Sequence, residues 1–242
     1  MIKRLVDIIV SLLGLIVASP VLIPVMIAVW LQNFHSPFYI ASRIGKGGEL
    51  FRMVKPRSMV VNADKSGVDS TGAGDRRITG VGRFIRRYKL DELSQLWNVL
   101  IGDMSLVGPR PQVERDVALY TKEEQRLLSV KPGITDISSI VFADEGDILK
   151  DKSDPDLAYN QLIRPWKSRL GLFYIDHQSF FLDLRLIYLT ALTIVSRERA
   201  LNEIHGLLVG LAANEQLIQV AQRQNELIPF PPPGATEIVT SR

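Results

Sequence analysis

Apolar residues run almost unbroken from Leu5 to Leu31, LVDIIVSLLGLIVASPVLIPVMIAVWL, before the chain turns polar. That length matches the roughly 20 residues needed to cross a bilayer core, so membrane contact is the first expectation. It far exceeds the apolar part of a signal peptide, and no A-x-A-like cleavage site closes it. Pro20 and Pro24 each remove a backbone donor from the run, and Pro20 also drives Ser19 away from helical angles. A bend at Ser19-Pro20 is expected, with the Ser19 hydroxyl as a partner for a freed carbonyl. Lys3 and Arg4 precede the run, and Arg43, Lys46, Arg52, Lys55 and Arg57 follow it. Positive charge at both ends predicts that both ends face the cytoplasm, which a helix that enters, bends and returns would satisfy. A straight kinked span is the alternative.

Beyond the run, the pattern changes to short elements. FYIAS (38–42) and LFRMV (50–54) read as strands of a hairpin around the glycine turn RIGKGGE. NADKSGVDSTGAGD (62–75) has almost no large apolar side chain and reads as a surface loop. Ile85, Tyr88, Leu93, Leu96, Trp97 and Leu100 recur at helical spacing, so RRYKLDELSQLWNVL (86–100) predicts an amphipathic helix, or a turn feeding one, ended by Gly102. MSLVGPRPQVE and SVKPGITDISSIV read as Pro/Gly loops flanking a polar helical stretch, TKEEQRLLS. Asp154-Pro155 has the form of an N-cap and first helical position opening DPDLAYNQLI, with Pro165 ending or kinking that helix. SFFLDLRLIYLTALTIV (179–195) carries Asp183 and Arg185, which favours a surface-lying or core helix over a span. Helical pattern continues through 201–227 and stops at PFPPPG, after which a frayed end is expected.

Charge sharpens the picture. The 242 residues carry a net charge of only +3, but residues 76–90 hold Arg76, Arg77, Arg83, Arg86, Arg87 and Lys89 and no acid. Such a cluster seeks phosphates, acidic lipid or nucleic acid. The chain has no cysteine, which excludes disulfides and thiolate metal sites and fits a reducing compartment.

Directly behind the cations stand Asp91 and Glu92. First-turn acids gain about 0.3–1 kcal/mol each from a helix dipole, which would account for them without chemistry. The chemical reading makes one carboxylate a nucleophile or base and the other a ligand for Mg²⁺, an ion commonly held by one or two carboxylates plus substrate phosphates. Arg86, Arg110, Lys55 and Arg57 are then candidate phosphate clamps.

The motifs K-x-R-x-M (Lys55, Arg57, Met59), DRRITxxGRFIR (75–86), LDELxQLWNVLxGDMSLVGPRP (90–111) and KPGIT (131–135), with Ser19-Pro20 and SFFLDL (179–184), resemble the bacterial sugar transferase family, the monotopic phosphoglycosyl transferases. The resemblance runs from about residue 2 to about residue 196. It implies an enzyme at the cytoplasmic face of the bacterial inner membrane. Such an enzyme moves a sugar-1-phosphate from a UDP-sugar to undecaprenyl phosphate, releases UMP and starts a surface glycan that downstream glycosyltransferases extend. It further implies Asp91 as nucleophile of a covalent phosphosugar intermediate, Glu92 as Mg²⁺ ligand, Arg110 and Arg86 as phosphate contacts, and Ser19-Pro20 as the break in a re-entrant helix. Two departures stand out: Asp136 begins an unusual segment, DISSIVFADEGDIL, after KPGIT, and Pro56 stiffens the turn between Lys55 and Arg57.

The fold expected is mainly α with short β elements (α+β): a re-entrant membrane helix (1–34), a catalytic domain with interfacial amphipathic helices (35–198), and a helical extension (199–242) that is either interfacial or a homo-oligomer contact. No nucleic-acid partner is expected. The competing functions are a membrane-tethered module that holds anionic lipid or nucleic acid, and an inactive assembly scaffold. Either would tolerate loss of the carboxylates.

Overall fold

The structure, a computed structural model, describes residues 2–63 and 74–241. Most of the loop expected over 62–75 lies outside the described residues. The architecture is mainly helical with short strands, as the pattern predicts.

Helix α1 (Ile2–Leu31) is the one long apolar helix among the described residues and is long enough to cross a membrane by length and composition. Its helical turns continue through Ser19 and Pro20, where a break was expected. The reason is local. Pro20 lacks the N–H that would reach the Ile16 carbonyl, and the Ser19 hydroxyl donates to that carbonyl at 2.7 Å instead. Asp7, Ser11, Ala18, Val25 and Val29 are buried, at spacings that repeat one helical face. Leu5, Leu12, Ile16, Val21, Ile23 and Ile27 stand exposed around the remainder.

Both ends of α1 are fastened to the rest of the chain. Near the start, Lys3 Nζ meets Asp183 Oδ2 at 2.5 Å, and Arg4 donates to the Val99 and Leu100 carbonyls. These carbonyls belong to the last turn of α4 (Leu96–Ile101), where a cation is favoured. The Asp7 carboxylate accepts from Ser105 Oγ at 2.9 Å and from the Leu106 N–H at 3.0 Å. At the far end Val25 and Val29 pack with Ile85 and Leu90, and Arg57 Nη2 donates to Asn33 Oδ1 at 2.7 Å.

Strands β1 (Phe38–Ile44) and β2 (Leu50–Pro56) form the expected antiparallel hairpin around Gly47 and Gly48, both at positive φ. The expected helix over 86–100 is divided instead into α2 (Gly80–Arg87), α3 (Leu90–Leu93) and α4. Lys89, at φ 55°, turns the chain between α2 and α3, which realises the alternative of a turn feeding a helix. Gly102 ends α4 at φ 101°, as expected.

The two Pro/Gly loops contain a parallel pair that the pattern did not reveal, β3 (Ser105–Val107) with β4 (Gly133–Thr135). Short α5 (Glu114–Ala118) and a 3-10 turn, Glu124–Ser129, lie between them. After β4 come α6 (Ile137–Val141), α7 (Glu145–Ile148) and α8 (Pro155–Ala158), the last capped by Asp154 through the Leu157 N–H at 2.9 Å. A π turn over Tyr159–Ile163 leads into α9 (Arg164–His177), so Pro165 sits in the first turn of a new helix. Helix α10 (Phe180–Val195) buries Leu182, Leu186 and Leu189 and exposes Phe181, Tyr188 and Ile194, a surface-lying helix as expected.

Helices α11 (Arg197–Gly210) and α12 (Glu215–Gln222) bury Ile204, Leu207, Leu208 and Leu217 in the same core as Met104, Ile137, Leu170 and Leu186. Each fully buried aliphatic side chain contributes about 1.5–3 kcal/mol to that core. The expected frayed end is instead held as far as Val239, whose carbonyl accepts from Gln161 Nε2 at 2.8 Å. Phe230 stacks on Trp166 at 4.4 Å, and the Pro231 and Pro233 carbonyls accept from Arg169 and Thr121.

Candidate active site

Three pieces of backbone carry the candidate residues, and side chains of the central motif hold them together. Asn98 of α4 takes the free edge of β2: its Oδ1 accepts from the Val54 N–H at 3.0 Å and its Nδ2 donates to the Arg52 carbonyl at 2.7 Å. Ser94 Oγ adds a bond to the Val54 carbonyl at 3.0 Å. Lys55, next along β2, is thereby held facing α3. Sequence reasoning assigned Ser94 and Asn98 no role. Their signal was polarity at core positions of an otherwise apolar pattern.

The second piece is GPRP. A Cβ on Gly108 would stand 2.4 Å from the Lys131 carbonyl oxygen, and one on Gly133 would stand 2.1 Å from the Gly108 nitrogen. Only glycine permits these two loops to touch, and the contact is sealed by Gly133 N–H to the Pro109 carbonyl at 3.0 Å. Arg110 leaves the loop directly after this clamp. The third piece is α2, which Thr79 caps through the Gly82 N–H, with Gly82 pressed against the Ser58 carbonyl. Arg86 Nε donates to Ser58 Oγ at 3.1 Å.

Asp91 and Glu92 occupy α3, a helix of one turn. So short a helix has little dipole to offer, which weakens dipole stabilisation as their purpose. Glu92 Oε1 lies 3.6 Å from Lys89 Nζ and 3.7 Å from Arg110 Nη1, ion pairs too long for hydrogen bonds. The Asp91 carboxylate has no hydrogen-bond or ion-pair partner among the described residues. It nevertheless acts electrostatically on Lys55, Arg86 and Arg110.

Burial lowers the Lys55 ammonium to a pKa of about 8, with Arg110 adding to the shift and Asp91 opposing it. Burial also pulls Arg86 down, against Asp91 and Asp75. For Arg110 burial is the largest single influence, but Glu92, Glu145, Asp91 and Asp136 together outweigh it and hold the guanidinium above its ordinary value.

Of the sequence candidates, the structure gathers Asp91, Glu92, Lys55, Arg86 and Arg110. Arg57 goes elsewhere: it is buried and reaches back to Asn33 and the Val29 carbonyl, so it fastens the end of α1. Ser19 and Pro20 lie within α1, whose nearby Leu22 and Val25 share an apolar cluster with Leu90 and Leu93 of the carboxylate helix α3. Sequence reasoning singled out the segment that begins with Asp136 and includes Glu145 without giving either side chain a role, and it missed Lys167. Asp136 caps α6 and accepts from both Ser138 and Ser139, while Glu145 pairs with Lys167. A narrow, open cleft extends from Arg110 between Gln112, Asp116, Asp136, Tyr159 and Lys167.

No cluster of three or more His, Asp or Glu suited to a metal occurs among the described residues. Magnesium does not need one, because it keeps waters and substrate phosphates beside one or two carboxylates. The unpartnered Asp91 and the loosely paired Glu92 fit that donor set.

A carboxylate unpartnered among the described residues, a neighbouring acid and three cations within its electrostatic reach, beside a long apolar helix, make a site suited to phosphoryl chemistry on anionic substrates at a membrane. The chain belongs to the bacterial sugar transferase family, whose model matches residues 1–197. It is 31% identical over 204 residues to the UDP-N-acetylgalactosamine-undecaprenyl-phosphate N-acetylgalactosaminephosphotransferase of Aeromonas hydrophila, covering 81% of this chain and 44% of that protein. It is 38% identical to the UDP-glucose:undecaprenyl-phosphate glucose-1-phosphate transferase of Klebsiella pneumoniae, covering 78% of this chain and 39% of that one. It is 33% identical to the undecaprenyl-phosphate galactose phosphotransferase of Salmonella typhimurium, covering 82% and 41%. The chain therefore spans about four-tenths of the length of these relatives.

Proposed function

We propose that this protein transfers a sugar-1-phosphate from a UDP-sugar to undecaprenyl phosphate and so initiates a bacterial surface glycan. The observation that carries the reading is the Asp91 carboxylate, unpartnered among the described residues, beside Glu92 and within electrostatic reach of Lys55, Arg86 and Arg110. The relatives' names supply the acceptor and the sugar phosphate.

In the first step an Asp91 oxygen attacks the β-phosphorus of the donor. The bond from that phosphorus to the bridging oxygen breaks, and UMP leaves. In the second step a phosphate oxygen of the acceptor attacks the same phosphorus, giving the undecaprenyl diphosphosugar and restoring Asp91. Splitting the transfer in this way suits a carboxylate nucleophile. Arg110 and Arg86 bind and orient the phosphates, and Lys55 balances charge beside Asp91. A magnesium ion held by Glu92 and the donor phosphates would neutralise charge on the diphosphate.

The same reading sets the enzyme on the cytoplasmic face of the inner membrane with α1 re-entrant. Two observations support it. Polar contacts fasten both ends of α1 to one body, through Lys3, Arg4 and Asp7 at the start and Asn33 at the end. The outer face of α1 is apolar, and Trp97, Ile101, Phe84, Phe181 and Tyr188 are exposed on helices of that body. These helices would lie in the interface.

The test is adduct capture. Incubated with a UDP-sugar and magnesium but no acceptor, the wild-type protein should gain one sugar-phosphate mass on the peptide holding Asp91 and release one UMP. Asp91→Asn should gain none and lose transfer by about 10⁴-fold or more, with membrane association unchanged. Turnover by Asp91→Asn near the wild-type rate would overturn the assignment.

A further inference from the structure

The family model ends at residue 197, and the 45 residues beyond it have so far served only the core. Arg223 among them, together with Arg197, the last matched residue, does something more specific. Arg197, first in α11, and Arg223, at the C-terminal cap of α12, both reach Asp144, at 2.9 and 3.2 Å. Arg197 also donates to the Val141 carbonyl at 3.3 Å, and the Arg223 guanidinium lies 5.3 Å above the Phe142 ring. The two ends of the α11–α12 pair thus grip residues 141, 142 and 144. The next residue, Glu145, pairs with Lys167, which lines the cleft, and acts electrostatically on Arg110 and Lys89.

The tail grips the other half of that pair. Phe230 stacks on Trp166, the neighbour of Lys167, and its N–H donates to the Gln161 carbonyl at 3.0 Å. Arg169 donates to the Pro231 carbonyl at 2.9 Å and lies 4.8 Å above the Phe230 ring. Both members of the Glu145–Lys167 pair are therefore held from behind by chain outside the family's matched region. Arg223 is nine-tenths buried, which is a costly place for a cation whose only service is to the surface.

We propose that the C-terminal extension, with Arg197 at its root, is a positioning strap: Arg223 and Arg197, acting through Asp144, and Phe230, acting through Trp166, fix the Glu145–Lys167 pair at the cleft beside Arg110, and that pair sets the affinity for the nucleotide-sugar donor. The donor half of the statement rests on the function proposed above. The strap itself does not.

Hydrogen exchange on the full-length protein in detergent or lipid tests the strap without any substrate. Arg223→Ala should speed exchange about tenfold or more over residues 142–149, and Phe230→Ala over residues 161–169. Neither should change residues 90–93, and Arg223→Lys should restore much of the protection. Unchanged exchange in 142–149 with Arg223→Ala, or loss spread evenly over the whole chain, would overturn the strap.

Kinetics tests the donor half. Arg223→Ala and Glu145→Gln should each raise the donor KM about tenfold, leaving the acceptor KM and kcat within about twofold. The double variant should resemble either single one, because Arg223 acts through Glu145. A hundredfold rise in the double variant would mean two independent effects and would sink the link. Absence of transfer by the wild type with any UDP-sugar would count against the proposed function and the donor half together, and the exchange result would still decide the strap.

Discussion

Arg164 and Arg110 are two arginines placed beside glutamates in the same core-facing region, and the protein treats them in opposite ways. Arg164 meets Glu124 through Nε at 3.1 Å and Nη2 at 2.6 Å, Asn160 through Nη1 at 3.0 Å, and the Leu119 carbonyl at 2.6 Å. Glu124, fully buried, also accepts from Ser168 Oγ at 2.7 Å and the Thr121 N–H at 3.1 Å. Every charged atom of that pair is spoken for. Arg110 has no hydrogen bond among the described residues, only Glu92 at 3.7 Å and a surround of other acids. A closed pair is scaffolding, since nothing can be added to it without breaking a bond. An open charge lattice has donors left for a substrate, which is what preorganised electrostatic catalysis needs.

Substitutions should separate the two. Arg110→Gln should cut transfer by about 10²–10³-fold, the size expected for removing one charge-stabilising donor, with thermal stability close to wild type. The converse pattern is expected for Glu124→Gln. Breaking a buried pair on one side costs about 3–5 kcal/mol, and in a chain of this size each kcal/mol moves the melting midpoint by about 2–4 °C. Activity per folded molecule, assayed well below the new midpoint, should stay within a few-fold. If Glu124→Gln abolished transfer while melting normally, the division between scaffold and site would be wrong.

Much of the fold was legible because its signals are local. The hairpin around Gly47-Gly48, the cap at Asp154 and the stop at Gly102 are each encoded within a few residues. Within the site, Asp91, Glu92, Lys55, Arg86 and Arg110 stood in motifs and were named from sequence. The rest depends on partners far apart in the chain. Thr135 pairs with Val107 only because two glycines let the loops touch, and Arg164 finds Glu124 forty residues away. Nothing in TKEEQRLLS distinguishes the buried Glu124 from its exposed neighbour Glu123. Arg57 shows the same limit: its Nη2 reaches the end of α1, a long-range contact that its motif does not announce. Asp7 carried a signal that went unread, since an acid inside an apolar run is expensive and implies a partner. Its partners are Ser105 and Leu106, on the strand that leads to Arg110.

Lys55 gives the finest discrimination, because its charge can be removed without a mutation. Burial and Arg110 lower its pKa from 10.5 to about 8. Below pH 8 the folded protein holds the ammonium that balances Asp91, and as pH rises through 8 the charge is lost. The value of kcat/KM, which reports the free enzyme, should therefore fall about tenfold per unit above pH 8. Stability moves the other way. Between pH 8 and 10.5 the unfolded lysine still binds its proton and the folded one does not, so this residue's contribution to stability rises with pH. A loss of activity over that window with no drop in melting midpoint would thus belong to the open lattice and not to the scaffold. Lys55→Arg should move the decline above pH 10, because a guanidinium keeps its proton there. A profile that still broke near pH 8 in that variant would assign the titration to another group.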